Sequence, residues 1–596
     1  MAIRAWQIFA LGVATSSTVA AAFGAQAAER VLRIGMPIVA ETFDPARSDN
    51  MQANMLMAGI YDTLYVLDPV ARPAVIVPLA ASALPEVSPD FREFTIRVRP
   101  GIRFTPHAAF GGKARELTAA DFAYALRRVF DPKIRSQGLF LLEGKIEGLD
   151  ALAKRAADAG TAIDYDAPVS GLVAVDRQTL RIRLNKPDPI FPFLLTSTLT
   201  AGVAREVVEA EGDAYGQRPV GTGAFVVSAF TPGQRVTFVR NPSYRTLHWE
   251  DLLAPQSRRA QGTQPLRGKA LPGLDRVEFS STPESSAELL ALRRDQLDLI
   301  YLAAPELATR DGKLLPDLTR DGVRLVREEQ PTALLSFFSM RDPVLGGNSR
   351  EKIALRRAIQ MAIDDKEWIR VFDAGFSTVR QQVVPPGVEG HITGYVNPNN
   401  FDAVAANALL ERFGFRKAAD GYRRNPDGTA LAVSVLTGTS SDARKSAEFT
   451  KRMLDRIGIR IIVESVTPAE RLKRMTHCRF GMASMDWGLD IPDGTNPMSM
   501  FYSKSIGSVN MSCYEDAVFD AAFEKALVMA PGPERSELFR TMQSRLDAYA
   551  PTRPRPISDT LLLKRDRVVG PFGTINDWLQ IVTLSVDASA QPVKSR

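Results

Sequence analysis

LAVSVLTGTSSDARKSAEFTKRMLDRIGIRIIV, residues 431–463, carries two hydrophobic periods in a fixed order. Leu431, Val433 and Val435 alternate with other residues, the period of a half-buried strand. Phe449, Met453, Leu454 and Ile457 then share one face of a helix that stops at Gly458, and Ile459, Ile461 and Val463 alternate again. Strand, helix, strand is the signature of an α/β fold. The surrounding chain has the same character. A helix from about Ser349 carries Ile353, Ala358, Ile359, Ala362 and Ile363; Asp364 and Asp365 cap a second through Trp368, Ile369 and Phe372 to Gly375; and Leu409, Leu410 and Phe413 end at Gly414.

Toward the N-terminus, Val31 to Gly35 reads as a short strand, and Thr42-Phe43-Asp44-Pro45 as a turn into a helix ending near Leu64. Residues 94–99, 180–184 and 235–240 alternate as strands. Thr118 with Asp121 three residues on has capping-box spacing, and Phe122, Ala125, Leu126, Val129 and Phe130 follow at helical intervals until Asp131-Pro132 ends the run. Residues 251–273 are rich in Pro, Gly, Gln and Arg without apolar period, which predicts a surface insertion.

The first residues read as an export leader. Arg4 supplies the positive charge, residues 5–14 the apolar core and Ala25-Gln26-Ala27 a small-x-small cleavage site. The apolar core is too short for the roughly 30 Å of bilayer hydrocarbon, and no later stretch offers about 20 consecutive apolar residues. No Cys lies near the cleavage site to take a lipid, so a free periplasmic product is expected. At 596 residues, with 45% hydrophobic and 24% charged residues, the chain exceeds what one core holds, and two or three lobes are expected. The net charge of +6 is spread thinly, with no long basic block, which speaks against a nucleic-acid partner. The two cysteines, Cys478 and Cys513, are allowed to pair in an oxidising compartment but are not required to.

Enzyme signatures are missing. The sequence has no Gly-x-Ser-x-Gly elbow, no His-Glu-x-x-His and no Gly-x-Gly-x-x-Gly, and its four histidines stand apart from any second ligand at metal-site spacing. No cofactor and no metal site are expected.

Several ordered strings resemble one family. Pro219-Val220-Gly221-Thr222-Gly223-Ala224-Phe225 followed by Arg240-Asn241-Pro242-Ser243-Tyr244, Gly101 to Phe104 with Leu117 to Phe122, and Leu355 to Ile359 with Ala362-Ile363-Asp364 are similar to blocks of the solute-binding proteins of bacterial peptide and nickel ABC importers, extracellular family 5. Ala224 stands where the family usually has Pro. The resemblance implies a two-lobed α/β periplasmic-binding-protein fold of type II with an extra subdomain in lobe one, a ligand enclosed between the lobes, and permease subunits as partners of a monomeric binder. Carried over, the leader is 1–27, lobe one is 28–65 and 201–280 with a return over 531–596, the extra subdomain is 66–200, and lobe two is 281–530. Gly221 and Gly223 permit positive φ and close approach, which suits a tight crossover between lobes ahead of a ligand-facing hinge.

In the family's peptide binders an Asp in a Trp-x-x-Asp string takes the ligand ammonium. Trp487-Gly488-Leu489-Asp490 is similar to that string, which implies a charge-assisted bond from Asp490 and an aromatic wall from Trp487. Asp493-Gly494 departs from the Asp-Pro of many peptide binders. Ser339 and Arg341 end an apolar run where family members expose strand ends to the cleft, and Tyr502 and Asn510 follow the Trp487 loop as further wall candidates. The reading is therefore a peptide or peptide-like cargo. Its alternatives are a metal chelate, haem, opine or oligosaccharide on the same fold, or an exported hydrolase with a triad assembled in space.

Overall fold

The computed structural model describes residues 29–37, 39–48, 51–260, 266–282, 284–489, 491–572 and 580–587. The leader with its cleavage site at 25–27, and Asp490, lie outside them. Among the described residues no helix is long and apolar enough to cross a membrane.

Two sheets organise the chain. The first has seven strands in the order Val323–Glu328, Thr560–Arg565, Leu299–Tyr301, Val31–Met36, Arg276–Ser281, Arg235–Arg240 and Phe225–Thr231. Val31–Met36 runs parallel to both of its neighbours, and the other pairings are antiparallel. The second sheet has five strands in the order Arg460–Ser465, Ala432–Thr437, Met482–Gly488, Thr332–Phe338 and Thr552–Pro554. Here the expected strand–helix–strand unit is a parallel pair, Val433 facing Ile461, joined by the helix Ser441–Arg456. Period two places Phe337 and Phe338 in different cores: Phe337 packs with Phe501, Phe519 and Phe539 on one face, Phe338 with Val433, Phe449 and Leu454 on the other.

The extra subdomain is built on a four-stranded antiparallel sheet, Glu86–Val87, Glu93–Arg97, Thr179–Arg183 and Leu172–Ala174. The helix Ala119–Val129 packs on it, and the Asp121 carboxylate accepts from the Thr118 N–H at 2.7 Å. Phe94, Phe122 and Leu180 belong to one continuous core with Leu32, Ile34 and Phe43 of the seven-stranded sheet, so subdomain and lobe one are one packed body.

Four expectations are corrected. The lobes meet elsewhere than at 281 and 531: Leu299–Tyr301 and Val323–Glu328 pair inside lobe one's sheet, while the helix Pro533–Tyr549 and the strand Thr552–Pro554 pack in lobe two. The chain crosses at 329–331 and returns at 555–559. Strand membership depends on distant pairing partners, which leave no local period. The helix after Pro45 spans only Met51–Met57. The 251–273 segment is anchored rather than merely superficial, since Leu252, Leu253, Leu266 and Leu271 are buried and Leu271 pairs with Leu247. Gly221 and Gly223 lie within lobe one, away from the crossing. A Cβ on Gly223 would sit 2.6 Å from the Gly59 carbonyl oxygen, so the backbones there approach too closely for any other residue.

Candidate functional site

The end of lobe two's sheet that meets the crossing is where Thr332 begins its strand and Gly488, its partner, ends one. The connection 329–331 fixes this end against lobe one. Trp487 stands here, opposite Ala333, and its indole Nε1–H donates to Asn496 Oδ1 at 2.7 Å. The loop beyond it is tethered at Asp493, whose carboxylate takes two bonds from Arg535 at 2.6 and 2.9 Å, both partners fully buried. A buried bidentate pair of this kind fixes geometry, since losing either side strands a charge.

The other four residues singled out from sequence lie away from the crossing. Ser339 and Arg341 follow Phe338, at the opposite end of the seven-residue strand. Ser339 is fully buried and its hydroxyl donates to the Cys478 carbonyl at 2.7 Å. Arg341 is exposed, and its guanidinium lies 3.9 Å from Glu515. Asn510 is fully buried, its amide donating to the carbonyls of Tyr502 and Tyr514 at 3.0 and 2.9 Å. Tyr502 packs tilted against Phe523, 4.8 Å between ring centroids, and hydrogen-bonds Glu524. Cys478 and Cys513 are joined in a disulfide at this same end, with Cα atoms 6.1 Å apart. These residues hold lobe two's far corner together; the apolar run before Ser339 does not reveal which of its ends meets lobe one.

A cavity of about 380 Å³ opens on the other face of the sheet from Trp487, because Ser484 and Asp486 alternate with Met485 and Trp487 along the strand. The strands Thr332–Phe338 and Met482–Gly488 form its floor, and four further segments wall it. The strand Thr552–Pro554 pairs Arg553 with Ser336 and delivers Arg553, with Arg555 two residues on. The helix Asp365–Phe372, capped by Asp364, supplies Asp365 and Trp368. The helix Pro468–Thr476, capped by Thr467, supplies Arg471. Thr437, Gly438 and Thr439 lead into the N-terminus of Ser441–Arg456, where Ser440 Oγ accepts from the Ala443 N–H at 3.2 Å.

The three guanidiniums differ in how they are satisfied. Arg553 pairs with the Asp365 carboxylate. Arg471 donates to the Ser484 carbonyl, yet its buried Nε has no hydrogen-bond partner among the described residues. Arg555 lies over the Trp368 ring, 5.3 Å from its centroid, and its one side-chain hydrogen bond among the described residues is a long 3.4 Å contact to Ser446 Oγ. Burial, then the neighbouring Arg553, pushes the Arg555 guanidinium down to about 10, with Arg471 adding to the effect and Asp365 and Asp373 opposing it. Burial also lowers Arg471, against the pull of Asp486. Reading the sequence missed this cluster. The signal present was Arg553-Pro554-Arg555, two cations at the spacing that puts them on one face of a strand.

Two mixed α/β lobes joined by short crossings, with a cavity in lobe two at the crossing end, are the architecture of a solute-binding protein. A model of the bacterial extracellular solute-binding proteins, family 5 Middle, matches residues 75–508. The chain belongs to this family. Heme-binding protein A of Haemophilus influenzae is 23% identical over 82% of this chain and 81% of its own length. Di/tripeptide-binding protein 2 of Pseudomonas aeruginosa is 22% identical over 90% and 91%. Among solved structures, HbpA2 from Haemophilus parasuis has a TM-score of 0.74 at 19% identity, covering 94% of this chain and all of that one. The unliganded open form of the murein tripeptide-binding protein MppA has 0.73 at 19% identity over 95% and 99%.

Proposed function

We propose that this chain is the periplasmic solute receptor of an ABC importer, exported by the leader at 1–27, and that it captures a peptide or peptide-like ligand between its lobes without transforming it. The observation that carries this reading is the pair of sheets linked at 329–331 and 555–559, with the Trp487 wall and the lobe-two cavity both at the crossing. Arg327 with Asp559 at 2.7 Å, and Arg380 with Glu329, brace these connections. The overlay supports open lobes: the TM-score is 0.73 with unliganded open MppA and 0.62 with the peptide complex of DppA from Helicobacter pylori. A ligand that touches both lobes only when they close shifts the balance by its differential affinity, and the closed monomer is what the permease subunits recognise. Micromolar capture needs about −8 kcal/mol net, which burial in a closing cleft supplies.

Trp487 and Asp490 serve as the ligand wall on lobe two, with Asp490 meeting the ligand ammonium. Replacing Asp490 by Ala is expected to weaken calorimetric binding of trialanine at least tenfold; unchanged affinity removes Asp490 from the site. Small-angle scattering at saturating peptide is expected to show a smaller radius of gyration than the free protein. An identical radius would count against closure. A haem-class cargo is favoured instead if the protein purified from its periplasm carries a Soret band, a reading that the similarity to heme-binding protein A keeps in view.

A further inference from the structure

Two noncovalent contacts flank the crossings between the lobes, one on each face of lobe one's seven-stranded sheet. On the first face, lobe two's helix Asp365–Phe372 runs out into Ala374 and Gly375, both with positive φ, 48° and 91°. That reversal sends Phe376 out of lobe two. Its side chain is fully buried with Leu292, Leu318, Leu561 and Leu563, all of lobe one. Arg327 covers the ring at 5.3 Å from its centroid, and the Phe376 carbonyl accepts from the Asp559 N–H at 2.9 Å. Ser377 and Thr378 then pair with Ser558 and Ile557 of the return crossing.

On the opposite face, to which Leu562 points between Leu561 and Leu563, the contact comes from the extra subdomain. Its hairpin, Tyr65–Leu67 with Ile76–Pro78, is held at the tip by the buried Asp68 carboxylate, which accepts from the N–H groups of Val70, Ala71 and Ala254 at 2.9, 3.1 and 2.8 Å. From that tip the Ala74 N–H donates to the Gly387 carbonyl of lobe two at 3.1 Å. A little further on, the Glu389 carbonyl accepts from the Gly494 N–H at 2.8 Å, in the loop that follows Trp487, and Ile491 of that loop packs on lobe one's core.

Short extended crossings by themselves permit the lobes to bend and to twist. Packed contacts on both sides of them do not, because a buried side chain shifts between discrete seats rather than sliding. Two fixed points define one axis. We propose that Phe376 and the subdomain hairpin are paired bearings of the hinge: they confine lobe motion to a rotation about the line that joins them, and the extra subdomain thereby sets where the Trp487 loop stands against lobe one. Phe376 is a positioning residue in this device. Without either bearing the open ensemble gains orientations that closure must surrender, so the fraction competent to close falls. The inference rests on the solute-binding reading for its effect on cargo, and on the fold alone for its effect on lobe motion.

The test is a double electron–electron resonance measurement on the purified full chain, spin-labelled at Lys154→Cys on the subdomain and Lys445→Cys on lobe two. Both positions are exposed, and the native cysteines are paired. Without ligand, Phe376→Ala is expected to broaden the interlobe distance distribution about twofold or more, and Ile491→Ala to broaden it likewise. Phe376→Leu refills the pocket and is expected to restore the wild-type width. Calorimetric affinity for trialanine is expected to fall about fivefold or more in Phe376→Ala and to recover in Phe376→Leu. A Phe376→Ala protein with lowered Tm but wild-type width and affinity assigns a merely structural role and overturns the proposal. Broadening by Phe376→Ala alone removes the subdomain bearing and with it the pairing. If Phe376→Ala does not fold, Phe376→Val takes its place with the same expected outcomes. Trialanine bound by neither wild type nor variants, with distances that broaden as stated, overturns the peptide cargo and supports the bearings. Wild-type affinity and width in every variant do the reverse.

Discussion

The two ends of lobe two's sheet are built by the same strands and partnered differently. At the far end, Ser339, Asn510, Ser512 and the Cys478–Cys513 disulfide form a closed system: Ser339 donates to the Cys478 carbonyl, the Met340 N–H to the Ser512 carbonyl, and Ser512 to Asn510 Oδ1. At the crossing end, Arg555, Arg471 and Trp368 keep donors that nothing in the described chain accepts well. Near the far end the Tyr514 hydroxyl and Ser503 Oγ also lack a partner among the described residues, so the ends differ in the charge of what is left unmatched: neutral hydroxyls at one, guanidinium donors at the other.

The largest effect expected at the far end is loss of the disulfide. It links residues 35 apart, and the chain-entropy model gives about 4 kcal/mol for a loop of that length. Cys478→Ser with Cys513→Ser is expected to lower unfolding free energy by about that much in urea titration, while leaving trialanine affinity intact. A parallel loss of affinity would show that the two ends are coupled and break the comparison. Asn510→Ala comes next, at about 2–3 kcal/mol, because it leaves buried carbonyls of Tyr502 and Tyr514 without their donor. Asn510→Asp separates roles: a carboxylate cannot donate to those carbonyls, so it should destabilise as strongly.

Lobe one offers a smaller instance of under-partnering. Glu288 is 3% exposed, its Oε1 has no hydrogen-bond partner among the described residues, and burial raises its carboxyl to about 7. A carboxyl whose folded pKa exceeds its unfolded value makes the fold bind a proton that the unfolded chain releases. Its contribution is thus fully present below about 4.5 and is lost as pH rises toward 7. Glu288→Gln is expected to raise stability at pH 8 by about 1–3 kcal/mol and to change it little at pH 4. Equal effects at both pH values would mean that Glu288 finds a partner when ionised.

The parts of the fold legible in sequence were those written in local periods and caps. The 431–463 unit shows its strands and helix because the apolar spacing switches between them, and the Thr118–Asp121 cap announces its helix in four residues. What escaped depends on distant pairing. Arg471 and Arg555 stand 84 residues apart, and only the pairing of Leu335 with Pro554 and the docking of Pro468–Thr476 bring them together. The lobe boundary escaped for the same reason, since nothing within Leu299–Tyr301 says which sheet it joins. Trp487 is singled out by a motif, whereas nothing in the apolar run before Ser339 and Arg341 says that they lie at the end of their strand opposite the crossing.

Arg341 supplies the weakest effect and the sharpest contrast with Arg555. Both are arginines just beyond a strand of one sheet, but Arg341's side chain is 58% exposed and 3.9 Å from an equally exposed Glu515. Water solvates both groups, the long ion pair is screened, and removing it should change stability by no more than about 0.5 kcal/mol. Arg341→Gln is accordingly expected to leave Tm and trialanine affinity unchanged within error. A tenfold loss of affinity would move the ligand to the disulfide end, because a solvated arginine 20 Å or so along the strand from the crossing, at about 3.4 Å per residue, has no way to act on the crossing end through contact.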